Sequence, residues 1–167
     1  ARAQTVTDIF GWNRPFRPEI IPRELFGAMR EADVLAKALI DSETLDPECE
    51  SWVSRVRAAT LCGQLFLHSA YPTVAADAVF FGPDSYRFAH AIVRYLSGDV
   101  TVNRAVDIGC GAGPGAVVVA LQRPGAEVLA VDINQQALQL TALNARLAGA
   151  ERVMTRHSDL LDQVDGN

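Results

Sequence analysis

The stretch Ala105-Val-Asp-Ile-Gly-Cys-Gly-Ala-Gly-Pro-Gly-Ala116 holds four of the chain's twelve glycines within seven residues, with the carboxylate of Asp107 two positions ahead of the first. The apolar run Arg104 to Ile108 reads as a strand, the glycines as a turn, and Gly115-Ala116-Val117 as the start of a helix. Beyond it, Ala116 to Leu121, Val128 to Ile133, Ala137 to Leu147 and Arg152 to Thr155 alternate amphipathic segments with short apolar runs. That is the β-α-β-α-β signature of a parallel sheet with helices on its faces. Open sheets of this kind bind ligands at the carboxyl ends of their strands, where the glycine turn falls. Glycines there let a ligand touch the main chain and leave helix amino-terminal N–H groups to bond it, although a tight turn used only for packing is the plainer alternative.

Before the sheet, the apolar positions have helical spacing. Pro22 suits a first helical position, and Leu25, Ala28, Met29, Ala32, Leu35, Ala36 and Leu39 recur at intervals of three and four. A second helix is predicted to start at Asp46-Pro47-Glu48 and to carry Trp52, Val53, Val56, Ala59, Phe66 and Leu67. Residues 1–75 therefore read as a helical amino-terminal domain, and 76–167 as the amino-terminal half of an α/β domain. Ala78-Val-Phe-Phe81 suits a short strand, and Gly82-Pro83-Asp84-Ser85 a turn whose Asp or Ser caps a helix over Tyr86 to Leu96.

Composition narrows the function classes. Hydrophobic residues make up 49% and charged residues 21%, as in ordinary globular proteins. No apolar run reaches the roughly 20 residues that cross a bilayer, and the polar start lacks the apolar core of a signal peptide, so a cytoplasmic protein with no membrane partner is expected. Cys49, Cys62 and Cys110 are too scattered for a disulfide framework or a Cys-x-x-Cys metal site. The net charge is -5, with ten basic against thirteen acidic residues up to position 100 and five against seven after it. Neither part has the charge of a nucleic-acid clamp, though a local basic patch can hide in an acidic total. His68, His90 and His157 stand apart from any nucleophile or ligand pattern and read as structural or solvated.

Two ligand classes fit the turn. Gly111-x-Gly113-x-x-Ala116, with Asp132 at the end of the second strand, meets the permissive dinucleotide pattern. Asp107-Ile-Gly109-Cys110-Gly111-Ala-Gly113 meets the acid-x-Gly-x-Gly-x-Gly pattern of S-adenosylmethionine sites. A carboxylate beside the turn repels a pyrophosphate and attracts an amino group or a sulfonium, so Asp107 favours the second. Asp132 then accepts from both ribose hydroxyls, or else caps the helix that begins near Asn134. Asp159 can accept from the exocyclic amine of adenine, with Leu160 against the ring, or have no role. Asn144 either ties its helix to a neighbouring loop or, as the simpler expectation, sits exposed at the surface.

Val106 to Gly115, Ala130-Val-Asp-Ile-Asn134 with Ala137-Leu138 and Asn144-Ala145, and His157-Ser-Asp-Leu160 together resemble the first three cofactor motifs of class I S-adenosylmethionine-dependent methyltransferases. The likeness is to the small-domain group that includes release-factor glutamine methyltransferases and several ribosomal RNA guanine methyltransferases, and it covers at most residues 78–161. It implies a Rossmann-like sheet of which this chain holds the first three strands. It implies cofactor contacts from Asp107, Gly109, Cys110, Gly111, Gly113, Asp132, Ile133, Asp159 and Leu160, and from the preceding segment that includes Phe81 and Tyr86. The turn Gly82-Pro-Asp-Ser-Tyr-Arg87 departs from the Arg-Pro-Glu-Thr-Glu of the glutamine enzymes. The Asn-Pro-Pro-aromatic acceptor motif of the family is absent up to Asn167, so the chain is expected to be the cofactor-binding portion of a longer enzyme, inactive by itself. The implied acceptor is a planar nitrogen of a protein glutamine or of an RNA or DNA base. An oxidoreductase domain and a non-catalytic cofactor-binding module are the alternatives. With only three strands, the edge of the first is open to cover by the amino-terminal helices or to self-association.

Overall fold

The computed structural model describes residues 5–38 and 51–164. It divides into two compact units: one holds the residues up to Ala58 together with Ser69–Pro72, the other Ala59–His68 and the residues from Thr73 onward.

In the first unit, helix α1 (Val6–Phe10) is closed by a capping box in which Thr5 and Asp8 exchange hydrogen bonds between side chain and main chain. A 3-10 turn at Pro18–Ile20 leads into α2 (Arg23–Glu31). Strands β1 (Leu35–Lys37) and β2 (Trp52–Ser54) pair antiparallel. Ile9, Phe16, Ile21, Leu35 and Trp52 form the core, with Phe26 edge-on to Trp52 at 5.3 Å.

This corrects the expectation of a helical domain over residues 1–75. The stripe that begins at Leu25 leaves the helix after Glu31: Val34 N–H returns to the Met29 carbonyl, Asp33 turns to a φ of 55°, and Leu35 is already in β1. Leu39 and the expected cap at Asp46-Pro47-Glu48 lie outside the described residues. The segment read as the second helix forms β2, β3 (Val56–Leu61) and β4 (Gln64–Ser69). Cys62 and Gly63, at φ values of 50° and 77°, make the two-residue reversal of the β3–β4 hairpin, whose twist such left-handed pairs match.

The second unit carries the sheet. Strands β5 (Arg104–Ile108), β6 (Glu127–Asp132) and β7 (Val153–His157) lie parallel in the order β5-β6-β7, with Asp107 opposite Ala130 and Asp132 opposite His157. Helices α4 (Pro114–Gln122) and α5 (Gln135–Leu147) are the crossovers, as their apolar periodicity implies. Central β6 buries Val128 to Val131 on both faces, the mark of a parallel strand covered from two sides. Helix α4 is buried almost all round, through Ala116, Val117, Val118 and Ala120, and packs against α3 (Pro83–Leu96). The result is a Rossmann-like α/β unit whose strand ends deliver the glycine turn, Asp132 and the segment after His157 to one edge. Residues 78–81 are not a strand: they form a connecting segment that sinks Val79 and Phe81 into the core.

Candidate functional site

The turn between β5 and α4 is clamped from its neighbour. The Val131 carbonyl, last but one in β6, accepts from both Gly109 N (2.8 Å) and Cys110 N (3.0 Å), and Gly113 N closes on the Cys110 carbonyl at 2.8 Å. Gly109, Gly111 and Gly113 sit at φ values of 68°, 56° and 82°, which L side chains rarely adopt. The four glycines nevertheless do different work. A Cβ on Gly109 would meet nothing within 4 Å, and one on Gly111 only Val79 at 3.9 Å. A Cβ on Gly113 would sit 2.8 Å from Thr141, and one on Gly115 would be 2.5 Å from the Phe88 ring. The first two keep an approach open, and the last two let helices pack.

Asp107 looks inward. Its Oδ2 accepts from Ala116 N at 2.8 Å, tying the end of β5 to the first turn of α4. Burial pushes its carboxyl above the ordinary range, against the pull of that hydrogen bond, and the charge of Asp132 adds to the rise. The helix start leaves fewer N–H groups open than expected: Pro114 has none, that of Ala116 is held by Asp107, and that of Val117 by the Gly113 carbonyl.

Asp132 ends β6 and accepts from Gly111 N (3.0 Å) through Oδ2 and from Asn134 N (2.9 Å) through Oδ1. The cap of α5 is Asn134, whose own Oδ1 accepts from Gln136 N. A carboxylate has about four acceptor sites, so each Asp132 oxygen can take a further hydrogen bond. Ile133 is 65% exposed and flanks an open groove of about 460 Å³ bounded by Ala76, Asp77, Asn134 and Gln136.

Asp159 and Leu160 follow β7 at the same end of the sheet, and both are exposed. Their neighbour Ser158, which the sequence did not single out, is buried: its N–H bonds the Asp132 carbonyl and its hydroxyl accepts from Gln163 N. Phe81 sits in the core, stacked against Phe66 (5.5 Å) and His68 (5.2 Å), with Tyr86 edge-on at 5.6 Å. The exposed aromatic of that segment is Phe80. Ser85, rather than Asp84, caps α3 by accepting from Gly82 N. Cys110 is buried, and burial pushes its thiol up to about 11 despite the Thr141 hydroxyl at 3.4 Å. His90 and His157 are exposed, and no His, Cys, Asp and Glu cluster among the described residues can hold a metal. No helix among them is long and apolar enough to cross a membrane.

Asn144 is not at the surface. It is fully buried and makes three hydrogen bonds: Oδ1 accepts from Leu67 N (2.8 Å), and Nδ2 donates to the carbonyls of Leu67 (2.9 Å) and Ala112 (2.8 Å). Thr141, one turn earlier, donates to the Gly111 carbonyl at 3.0 Å. Both belong to the buried stripe Ala137, Leu138, Thr141, Asn144, Ala145, so the signal was positional: polar residues at helical spacing on an apolar face.

The family model of the methyltransferase small domain matches residues 77–167. The chain belongs to the methyltransferase small domain family. Among curated relatives, this methyltransferase small domain protein is 30% identical over 133 residues to ribosomal RNA small subunit methyltransferase C of Shewanella amazonensis, an overlap of 80% of this chain and 36% of that one. It is 38% identical over 63 residues to release factor glutamine methyltransferase of Xylella fastidiosa, which is 38% of this chain and 23% of the other. The chain thus spans about a third or less of these relatives' lengths. Its fold is similar to that of the 16S rRNA N2 G1207 methyltransferase of T. Thermophilus, solved with AdoMet and guanosine, at a TM-score of 0.51 and 17% identity over 90% of this chain and 42% of that one.

Proposed function

We propose that this chain is the S-adenosylmethionine-binding part of a methyltransferase that acts on a planar nitrogen of an RNA base or a protein side chain. The observation that carries the reading is the bond of Asp132 to Gly111 beside the open glycines: a carboxylate with acceptor sites to spare next to left-handed main chain, where a Cβ on Gly109 would meet nothing within 4 Å and one on Gly111 only Val79 at 3.9 Å. In this reading Asp132 takes the ribose hydroxyls, Gly109 and Gly111 let the cofactor lie against the turn, Ile133 and Leu160 offer apolar surface to the adenine, and Asp159 accepts from its amine. Gly113 and Cys110 hold the turn's shape, Asp107 holds the turn to α4, and Phe81 and Tyr86 support it from the core. The bound cofactor supplies an activated methyl group on a sulfonium, so the protein's task is to bind and align.

The state of the α4 terminus argues against the dinucleotide alternative. A pyrophosphate there depends on unclaimed N–H groups at the helix start, and here a proline and a carboxylate occupy that place. An RNA base is favoured as the acceptor because the match to the ribosomal RNA enzyme runs over 133 residues, too many to fit within 77–167, and so reaches into the first unit. Calorimetry on the intact protein tests the cofactor: saturable binding of S-adenosylmethionine and of its demethylated product is expected. Binding of a nicotinamide dinucleotide with neither of these would overturn it. Transfer of a labelled methyl group to ribosomal RNA, against transfer to protein, decides the acceptor, and no transfer to either leaves a non-catalytic binding module.

A further inference from the structure

The carboxamide of Asn144 is the one polar group on α5 that reaches both the glycine turn and the hairpin. Its pair of bonds to Leu67, one accepted from N–H and one donated to C=O, copies what a neighbouring strand would give β4. Its remaining N–H holds the Ala112 carbonyl, between the open glycine at 111 and the packed one at 113. The orientation is dictated by the partners: the reversed amide would set its oxygen against two carbonyls. Ala112 and Asn144 are both almost fully buried, so water cannot replace these bonds.

We propose that Asn144 is a positioning residue for the cofactor, holding the glycine turn in its ligand-accepting shape by fixing Ala112 to α5 and β4. This rests on the cofactor reading above. It makes β4 of the hairpin, through Leu67, part of the binding apparatus although it touches no ligand. Without the Ala112 bond, the turn keeps its anchors to Val131 and the bonds of Gly111 to Asp132 and Thr141, but the carbonyl between the two left-handed glycines Gly111 and Gly113 loses its restraint.

The test compares Asn144→Leu, Asn144→Asp and the core control Val128→Ala in the intact protein, at a temperature where thermal unfolding finds all of them folded. Asn144→Leu should weaken S-adenosylmethionine binding by about tenfold or more, as expected for buried polar groups left unpaired. It should also speed amide exchange at Gly113 and Leu67, while Val128→Ala, similarly destabilised, binds normally. In Asn144→Asp a buried carboxylate faces two carbonyls and serves only when protonated, so its affinity relative to wild type should recover as pH falls. An affinity for Asn144→Leu within twofold of wild type, equal losses in Asn144→Leu and Val128→Ala, or a flat pH ratio for Asn144→Asp would overturn the proposal. If the wild type fails to bind S-adenosylmethionine, the cofactor reading falls, and unchanged exchange at Gly113 in Asn144→Leu separately removes the role given to Asn144.

Discussion

Replacing Gly109 and Gly113 by alanine, one at a time, should separate two costs that glycine avoids. Both residues have left-handed φ, of 68° and 82°, so each alanine carries a backbone strain of about 1–2 kcal/mol. At Gly109 the new methyl group meets nothing within 4 Å, and the strain is the whole stability cost. At Gly113 it lands 2.8 Å from Cγ2, 2.9 Å from Oγ1 and 3.1 Å from Cβ of Thr141, a stiff β-branched side chain also held by its bond to Gly111. Overpacking of that kind costs about 1–3 kcal/mol more. Gly113→Ala should therefore lose about 2–5 kcal/mol in urea unfolding, against about 1–2 kcal/mol for Gly109→Ala. Thr141→Ser removes the nearest methyl and keeps the hydroxyl, so it should recover part of the Gly113→Ala loss and none of the Gly109→Ala loss, a coupling read from a double-mutant cycle. Cofactor affinity should rank the other way, because the Gly109 methyl projects where the proposed ligand lies: Gly109→Ala loses more binding per unit of lost stability. Equal destabilisation by the two alanines, or no rescue by Thr141→Ser, would refute the division of the glycines into open and packed pairs.

Other outcomes follow from the carboxylates and thiols. Asp132→Ala should weaken S-adenosylmethionine binding by about 1–3 kcal/mol in calorimetry, and an unchanged affinity would reduce Asp132 to a brace for Gly111 and Asn134. The Asp107 carboxyl is raised above its ordinary 3.8, so between the unfolded and folded values the folded state holds more protons and stability falls as pH rises through that window. Asp107→Asn, neutral and still able to accept from Ala116 N–H, should lose less thermal stability than wild type as pH rises above the ordinary carboxylate range. Parallel melting profiles would contradict this. Cys110, with its thiol pushed up to about 11, should resist iodoacetamide at mildly alkaline pH while exposed Cys62 reacts, as peptide mass mapping would register.

The sheet and its crossover helices were legible because each carries a period or a punctuation that chain-local physics enforces. Short runs of four to six residues bounded by turn residues located β5, β6 and β7, and alternate glycines located the turn. The amino-terminal half was misread for an equally physical reason. Trp52, Val53, Val56, Ala59, Phe66 and Leu67 fit a helical stripe only if the Cys62-Gly63 reversal is ignored, and Cys-Gly is a far weaker hairpin signal than Asn-Gly. Leu35 continued the stripe of α2 by coincidence of spacing, across a left-handed Asp33 whose carboxylate pairs with Arg55, 22 residues away. Long-range partners of this sort leave no mark on a single sequence. The same holds for Asn144, whose residue type suggested the surface whereas the buried stripe of α5 holds it inside.

The hairpin has a practical consequence for where this protein can be cut. The family match begins at residue 77, yet Ala59–His68 belong to the same compact unit as the sheet. A protein trimmed to the match would strip Phe66 from the face of Phe81, bare a ring that is now 9% exposed, and leave the Asn144 carboxamide with one of its three partners. Such a truncation would be prone to aggregate through that patch however well its sheet is formed. A protease-resistant core should accordingly begin upstream of Ala59, and a nick in the exposed loop at Tyr71 to Val74, 74% and 85% exposed at those two residues, should leave the Ala59–His68 segment held to the sheet.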